Sequence, residues 1–274
     1  MPLSHRRIEL LEGPHQYLLI EIQGPTALRI QKGLLDNPEA LEDLPDLSDL
    51  AGDDPPTDFP LADGVDLFLR AFNAGLLGAA SQQPWSCQGQ LTLEELDKVQ
   101  QIKRWQLSLQ DLQPGALRVL YNLVQALRPE RVRMQSLPGF ATGRPVRDLG
   151  SVSYPPHAQG LPFSVRRSPD LEQLGLNTVR LVFRQPASEA LQAEAIQGLE
   201  LWAQLLMLGG YQEGEEEETG RLEAAPEPPV LVDPQAIEIN FELFNSDLSA
   251  INAAINLAHR LHVKRAPLES VELE

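Results

Sequence analysis

The chain has 274 residues, 42% apolar and 22% charged, with 39 acidic against 22 basic side chains and a formal charge of −17. That composition suits one large or two small globular domains, and the single cysteine, Cys87, excludes an internal disulfide framework and any multi-cysteine zinc or iron–sulfur site. The longest apolar run, residues 199–208, is too short to span a bilayer and contains Glu200 and Gln204, and the basic start at residues 1–7 lacks the apolar stretch of a signal peptide, so the cytoplasm is the expected compartment.

Residues 7–11 and 17–22 predict two strands joined by a turn at Glu12-Gly13-Pro14-His15. Thr26 is placed to cap a short helix ending before Asn37-Pro38. Residues 36–63 carry nine acidic side chains ahead of Asp63 and five prolines, too polar a stretch to bury much surface. Its leucines Leu41, Leu44, Leu47 and Leu50 recur every three residues and offer one docking side.

Val65, Phe68, Leu69, Phe72 and Leu76 have helical spacing. Thr92-Leu93-Glu94-Glu95 reads as a capping box, which predicts a helix running to Arg104. Trp105, Leu107 and Leu109 alternate with polar residues and fit a strand or a continuation of that helix. Pro114 suits a first helical turn, with Leu117, Leu120, Val124 and Leu127 as its buried stripe and Pro129 as its stop. Val132 and Met134, between arginines, predict a strand.

Six prolines and five glycines fall within residues 138–176, which reads as a linker or long ordered loop and a domain boundary. Beyond it, Val179, Leu181 and Phe183 mark a strand, and Ser188 caps a helix that ends at Gly209-Gly210. Residues 230–232 and 237–243 follow as strands. Asp247 caps a helix bearing Leu248, Ile251, Ile255 and Ala258, and residues 271–273 supply a last strand.

Strand, helix, strand, strand, helix, strand is the order of a ferredoxin-like split βαβ sandwich. The predicted fold class is therefore α+β. A mixed α+β domain occupies residues 1–137, with its acidic insertion at 36–63, and is a looser version of the same layout. A ferredoxin-like domain occupies residues 177–274, with an acidic insertion at 213–228. In that layout the first and third strands are neighbours, so Arg180 and Arg184 share a face with Glu238 and Glu242, where opposite charges help pairing.

The charge is unevenly spread, at −12 over residues 1–97, +8 over 98–184 and −13 over 185–274. The basic centre contains Gly139-Phe140-Ala141-Thr142-Gly143-Arg144, then Arg147, His157, Arg166 and Arg167. Backbone amides of a glycine loop with arginines beside them are candidates for an anion site, although the lysine and hydroxyl of a phosphate-binding loop are missing. Acidic candidates for contact with a basic partner are Glu215, Glu216, Glu217, Glu218, Asp53 and Asp54. His259 and His262 stand three apart on a helix, but no third and fourth ligand accompanies them, so no metal is expected. Cys87 has only His157 as a candidate base in the central region and no hydrolase signature around it. No cofactor motif is present.

The absence of a catalytic constellation and the strong acidity point to a non-enzymatic intracellular protein of adaptor or immunity type that recognises a basic partner. The acidic flanks disfavour nucleic acid, whose binding needs phosphate neutralisation. One alternative is an enzyme or binder of a small anion at an interdomain cleft, using the central arginines. Another is a self-assembling protein, in which the strand at residues 271–273 leaves its own sheet and the exposed edge pairs with another copy. Arginine outnumbers lysine 18 to 4, which reads as the codon bias of a GC-rich bacterial genome.

Overall fold

The computed structural model describes residues 6–24, 64–127, 129–137, 143–169, 171, 177–212, 228–241, 243, 246–264 and 267–274. These residues form a mixed α/β structure of two five-stranded mixed sheets and four helices. In the first half, β1 (Arg6–Glu9), β2 (His15–Gln23), β3 (Gln88–Asp97), β4 (Ile102–Gln110) and β5 (Arg131–Ser136) lie in the order β1-β5-β2-β4-β3, with helices α1 (Gly64–Asn73) and α2 (Pro114–Ala126). In the second half, β6 (Ser164–Arg167), β7 (Asn177–Phe183), β8 (Val230–Asp233), β9 (Ala236–Phe241) and β10 (Leu268–Leu273) lie in the order β6-β10-β7-β9-β8, with α3 (Glu189–Met207) and α4 (Ile251–Lys264). Counted from its own first strand, each half has the same order. In each, only that first strand pairs in parallel, β1 with β5 and β6 with β10.

Most predicted elements form where their periodicity places them. Ser188 accepts a hydrogen bond from the Leu191 amide (3.4 Å) and starts α3, while Gly209, at φ +68°, turns the chain after its end. Asp247 accepts the Ser249 amide (2.6 Å) ahead of α4. Arg180 stands opposite Glu238, as the neighbouring strands required. Glu242, the predicted helix after Thr26 and both acidic insertions lie outside the described residues.

One expectation is corrected. Residues 92–104 are not a helix. They belong to a hairpin in which Thr92 pairs with Gln106 and Glu95 with Lys103. Asp97 caps its turn by accepting the Val99 and Gln100 amides (2.8 and 2.9 Å). A capping box is worth about 1 kcal/mol, which is less than the burial of Trp105, Leu107 and Leu109 on the strand face. The two strands expected at the start, β1 and β2, do form, but β5 lies between them in the sheet. The turn is held instead by buried Gln16, whose amide donates to the Leu11 carbonyl (2.9 Å) and accepts the Ser136 hydroxyl (3.0 Å). Residues 271–273 form the expected last strand, inside the sheet. β10 pairs with β6 on one side and β7 on the other.

The helices bring the halves together. α1 lies on β3 and packs on α2 and α3, while α3 lies on β9 and α4 on β10. Helices therefore fill the space between the sheets, and each sheet turns its polar face outward, as the alternating burial of β2 and β7 records. The buried side chains of both halves form one continuous cluster. The segment between the sheets is built into it through Leu149, Tyr154 and Phe163. Tyr154 receives Asn122 of α2 (3.0 Å) and carries the Arg118 guanidinium 3.9 Å above its ring. A Cβ at Gly115 would overlap the Ser153 carbonyl and stand 2.7 Å from the Pro155 nitrogen, so only glycine admits this crossing over α2.

Asn256 of α4 ties three parts of the chain. Its amide donates to the Leu76 and Pro156 carbonyls (3.2 and 3.3 Å), and its oxygen accepts the Ala158 amide (3.0 Å). The side chain is fully buried, so truncation strands all three backbone groups. Asn256→Ala is expected to lower stability by about 3 kcal/mol, read from urea unfolding; a change below about 0.5 kcal/mol would remove the hydrogen bonds from this account.

Candidate functional site

The central arginines divide between the two sheets. Residues 143–146 cross the turn after β1: the Glu12 amide donates to the Arg144 carbonyl (2.7 Å) and the Val146 amide to the Leu10 carbonyl (2.8 Å). A Cβ on Gly143 would overlap the Glu12 carbonyl oxygen, so this glycine serves the chain crossing. The rest of the predicted glycine loop, residues 139–142, lies outside the described residues. Arg144 and Arg147 are exposed beside the first sheet. Arg166 and Arg167 are on β6, at the edge of the second sheet. They line an open depression of about 470 Å³ with Ser168, Leu273 and two carboxylates, Glu272 and Glu274. Arg166 already pairs with Glu272 (2.9 Å). His157 is half-buried, its Nδ1 2.8 Å from the Ala158 carbonyl, which fixes that nitrogen as a donor. Glu215, Glu216, Glu217, Glu218, Asp53 and Asp54 lie outside those residues.

Cys87 is buried, with its thiol 3.1 Å from the Gly78 carbonyl. Burial, then the charge of Asp111, pushes the thiol up to about 12 against the opposing effect of Arg260. Asp111 accepts from the hydroxyls of Ser81 and Ser86 and from the Ser81 amide (2.8 Å). Burial opposes its charge, but these hydrogen bonds prevail and hold the carboxyl below its ordinary value. The cluster pins the turn before β3, and burial together with the Asp111 charge keeps the thiol protonated.

His259 stands edge-on to Trp85 (ring centroids 5.1 Å apart) and to Phe163 (6.4 Å). Its Nδ1 has no hydrogen-bond partner among the described residues. The Nδ1 of His262 accepts the Leu268 amide (3.0 Å), which requires the neutral ring. Burial first, then the charge of His262, holds His259 below its ordinary value; burial and then Arg184 do the same to His262. Among the described residues no group of three or more His, Cys, Asp or Glu is arranged to hold a metal ion.

The outer sheet faces are polar and largely self-neutralised. Across the first sheet, Arg7, Arg133, Glu21, Arg104 and Glu94 stand in register on five successive strands. Arg104 reaches Glu21 at 2.9 Å and Glu94 at 3.5 Å. Across the second, Arg166, Glu272, Arg180 and Glu238 form the matching row, with Arg180 2.8 Å from Glu238.

Two regions that sequence reasoning missed stand apart from these rows. The first is the edge strand β3 and its turn. Leu93, Leu96 and Val99 are 50, 44 and 93% exposed there, interleaved with Glu94, Glu95 and Asp97. The corresponding edge of the other half, β8, exposes Val230, Leu231 and Val232. The alternation of leucine with acid was in the sequence, but the capping-box reading wrapped it onto a helix. The second is a cleft of about 310 Å³ between α1, α3 and α4, lined by Arg70, Arg260, Glu194, Asn73, Leu201 and Leu257 among others. Its signal was a lone arginine in each of two strongly apolar helical stretches, at Leu69-Arg70-Ala71 and His259-Arg260-Leu261.

At pH 8 the native thiol should react with a disulfide reagent about a thousandfold more slowly than free cysteine, and at the ordinary rate in denaturant; rapid native reaction would contradict the burial of Cys87. The histidines titrate lower in the folded chain, so the unfolded chain binds more protons below its value of 6.5. Stability is then fully present above that pH and is lost as pH falls. His259→Phe should flatten the decline between about pH 6.5 and pH 5 in urea midpoints; an unchanged slope would clear His259.

No family model, curated protein or solved structure matches this chain.

Proposed function

We propose that the chain is a non-enzymatic protein-interaction protein, of adaptor or immunity type, whose two halves are both ferredoxin-like units carrying one added edge strand. The common strand order supports the second part. The observation that carries the first is the edge strand β3, with exposed aliphatic side chains set among carboxylates.

An exposed edge strand of ten residues offers unpaired backbone groups as well as apolar surface. The carboxylates Glu94, Glu95 and Asp97, in a chain of formal charge −17, fit a partner with a basic surface and would steer its approach. A second copy is disfavoured, since it would bring like charges together at this edge. The shift in register between Glu95 and Asp97 also breaks the straight row that two copies would need. No helix among the described residues is long and apolar enough to cross a membrane, and we place the encounter in the bacterial cytoplasm.

Purified from its own host at low salt, the protein should carry a second, basic polypeptide in stoichiometric amount by native mass spectrometry. The exposed double variant Leu93→Lys/Leu96→Lys should lose it, and about 0.5 M salt should release it from the wild type. A bare chain at low salt, or a partner retained by the double variant, would sink the proposal.

A further inference from the structure

We propose that the cleft between α1, α3 and α4 binds a small monocarboxylate with a short aliphatic tail, held across the seam between the two halves by Arg70 and Arg260. This goes beyond the interface reading and does not depend on it.

The cleft is made of both halves. Arg70, Asn73 and Ala74 come from the C-terminal end of α1 and the turn that follows it; Glu194, Gln197, Gly198 and Leu201 come from α3; Leu257 and Arg260 come from α4. Its floor is apolar, since Leu201 and Leu257 are buried and Gly198 lets the two helices approach. Its rim is cationic. Arg70 is exposed, whereas Arg260 is half-buried.

Arg260 is the group that calls for a ligand. One of its nitrogens donates to the Asn73 carbonyl. That partner is neutral, and among the described residues no carboxylate stands within ion-pair distance of the guanidinium. Burial lowers the basicity of Arg260, with Glu194 and then Cys87 opposing that effect from farther away. The half-buried guanidinium lines the cleft, and its bond to a carbonyl leaves further donors for an anion there. A planar carboxylate matches its fork, and Arg70 can close on the same anion.

The charge count selects the ligand class. Two arginines against Glu194 leave a formal excess of one positive charge in the lining, which suits a monoanion better than a phosphate dianion. The volume, about 310 Å³, lies at the small end of ligand sites. The leucine floor suits a tail of a few carbons.

The test is calorimetric titration of the full chain with sodium 4-methylpentanoate, against sodium chloride at equal ionic strength. One saturable site is expected. The neutral 4-methylpentanamide and the tailless acetate should each bind at least about tenfold more weakly. Arg70→Gln, an exposed substitution that leaves the fold intact, should weaken binding by about tenfold. Arg260→Lys keeps the charge but loses the fork and should do the same. Should that variant fail to fold, Arg70→Gln alone decides. No saturable heat above the chloride control, equal binding of the amide, or wild-type affinity in Arg70→Gln would each overturn the proposal.

Discussion

A buried amide side chain must find a partner for each of its hydrogen-bonding groups, and Asn256 does so by gripping the turn after α1 and the connection between the sheets at once. The two carbonyls and one amide it serves belong to irregular backbone outside the sheet ladders. The seam between the halves is organised around that demand. Gly115 lets the connection cross α2, Tyr154 seats it between Asn122 and Arg118, and α4 is held where His259 meets Trp85. The cleft with Arg70 and Arg260 opens along the same seam, so its width is set by packing that the ligand need not supply.

The electrostatics separate into two regimes. On the outer sheet faces, Arg104 stands between Glu21 and Glu94, and Arg180 pairs with Glu238, so these charges consume one another locally. Such exposed pairs contribute little stability individually, but they leave those faces without a strong field. The acidity of the chain is therefore expressed elsewhere, including the β3 edge, where carboxylates lie among uncovered leucines. The central basic stretch that stands out in the sequence is divided in space, with Arg104 and Arg133 in one row and Arg166 and Arg180 in the other.

What the sequence made legible was the second half. There the strands alternate cleanly, Ser188 and Asp247 cap the helices, and even the pairing of Arg180 with Glu238 followed from the strand order. The first half was harder for physical reasons. Thr92 and Glu95 offer a local helix signal, while the forces that make them a strand come from β4, ten residues away, and its contact with β2. The insertion of β5 between β1 and β2 is set by pairing across more than a hundred residues, which no local pattern encodes. Site residues were least legible. Arg70 and Arg260 are 190 positions apart and become neighbours only through helix packing, whereas the arginines close together in sequence were dispersed.

The place of β5 between β1 and β2 also governs how the molecule can assemble. β2, β3 and β4 can gather with α1 and α2, β4 lying between β2 and β3, but the first sheet stays open on one side until Arg131–Ser136 arrives. β1 has only four residues and, among the described residues, pairs with β5 alone, so its place in the sheet depends on that strand. Long-range closure of this kind makes folding slow relative to helical bundles of similar size. It also leaves an apolar strand edge uncovered in the interval, when capture by chaperones or other chains competes with completion of the sheet.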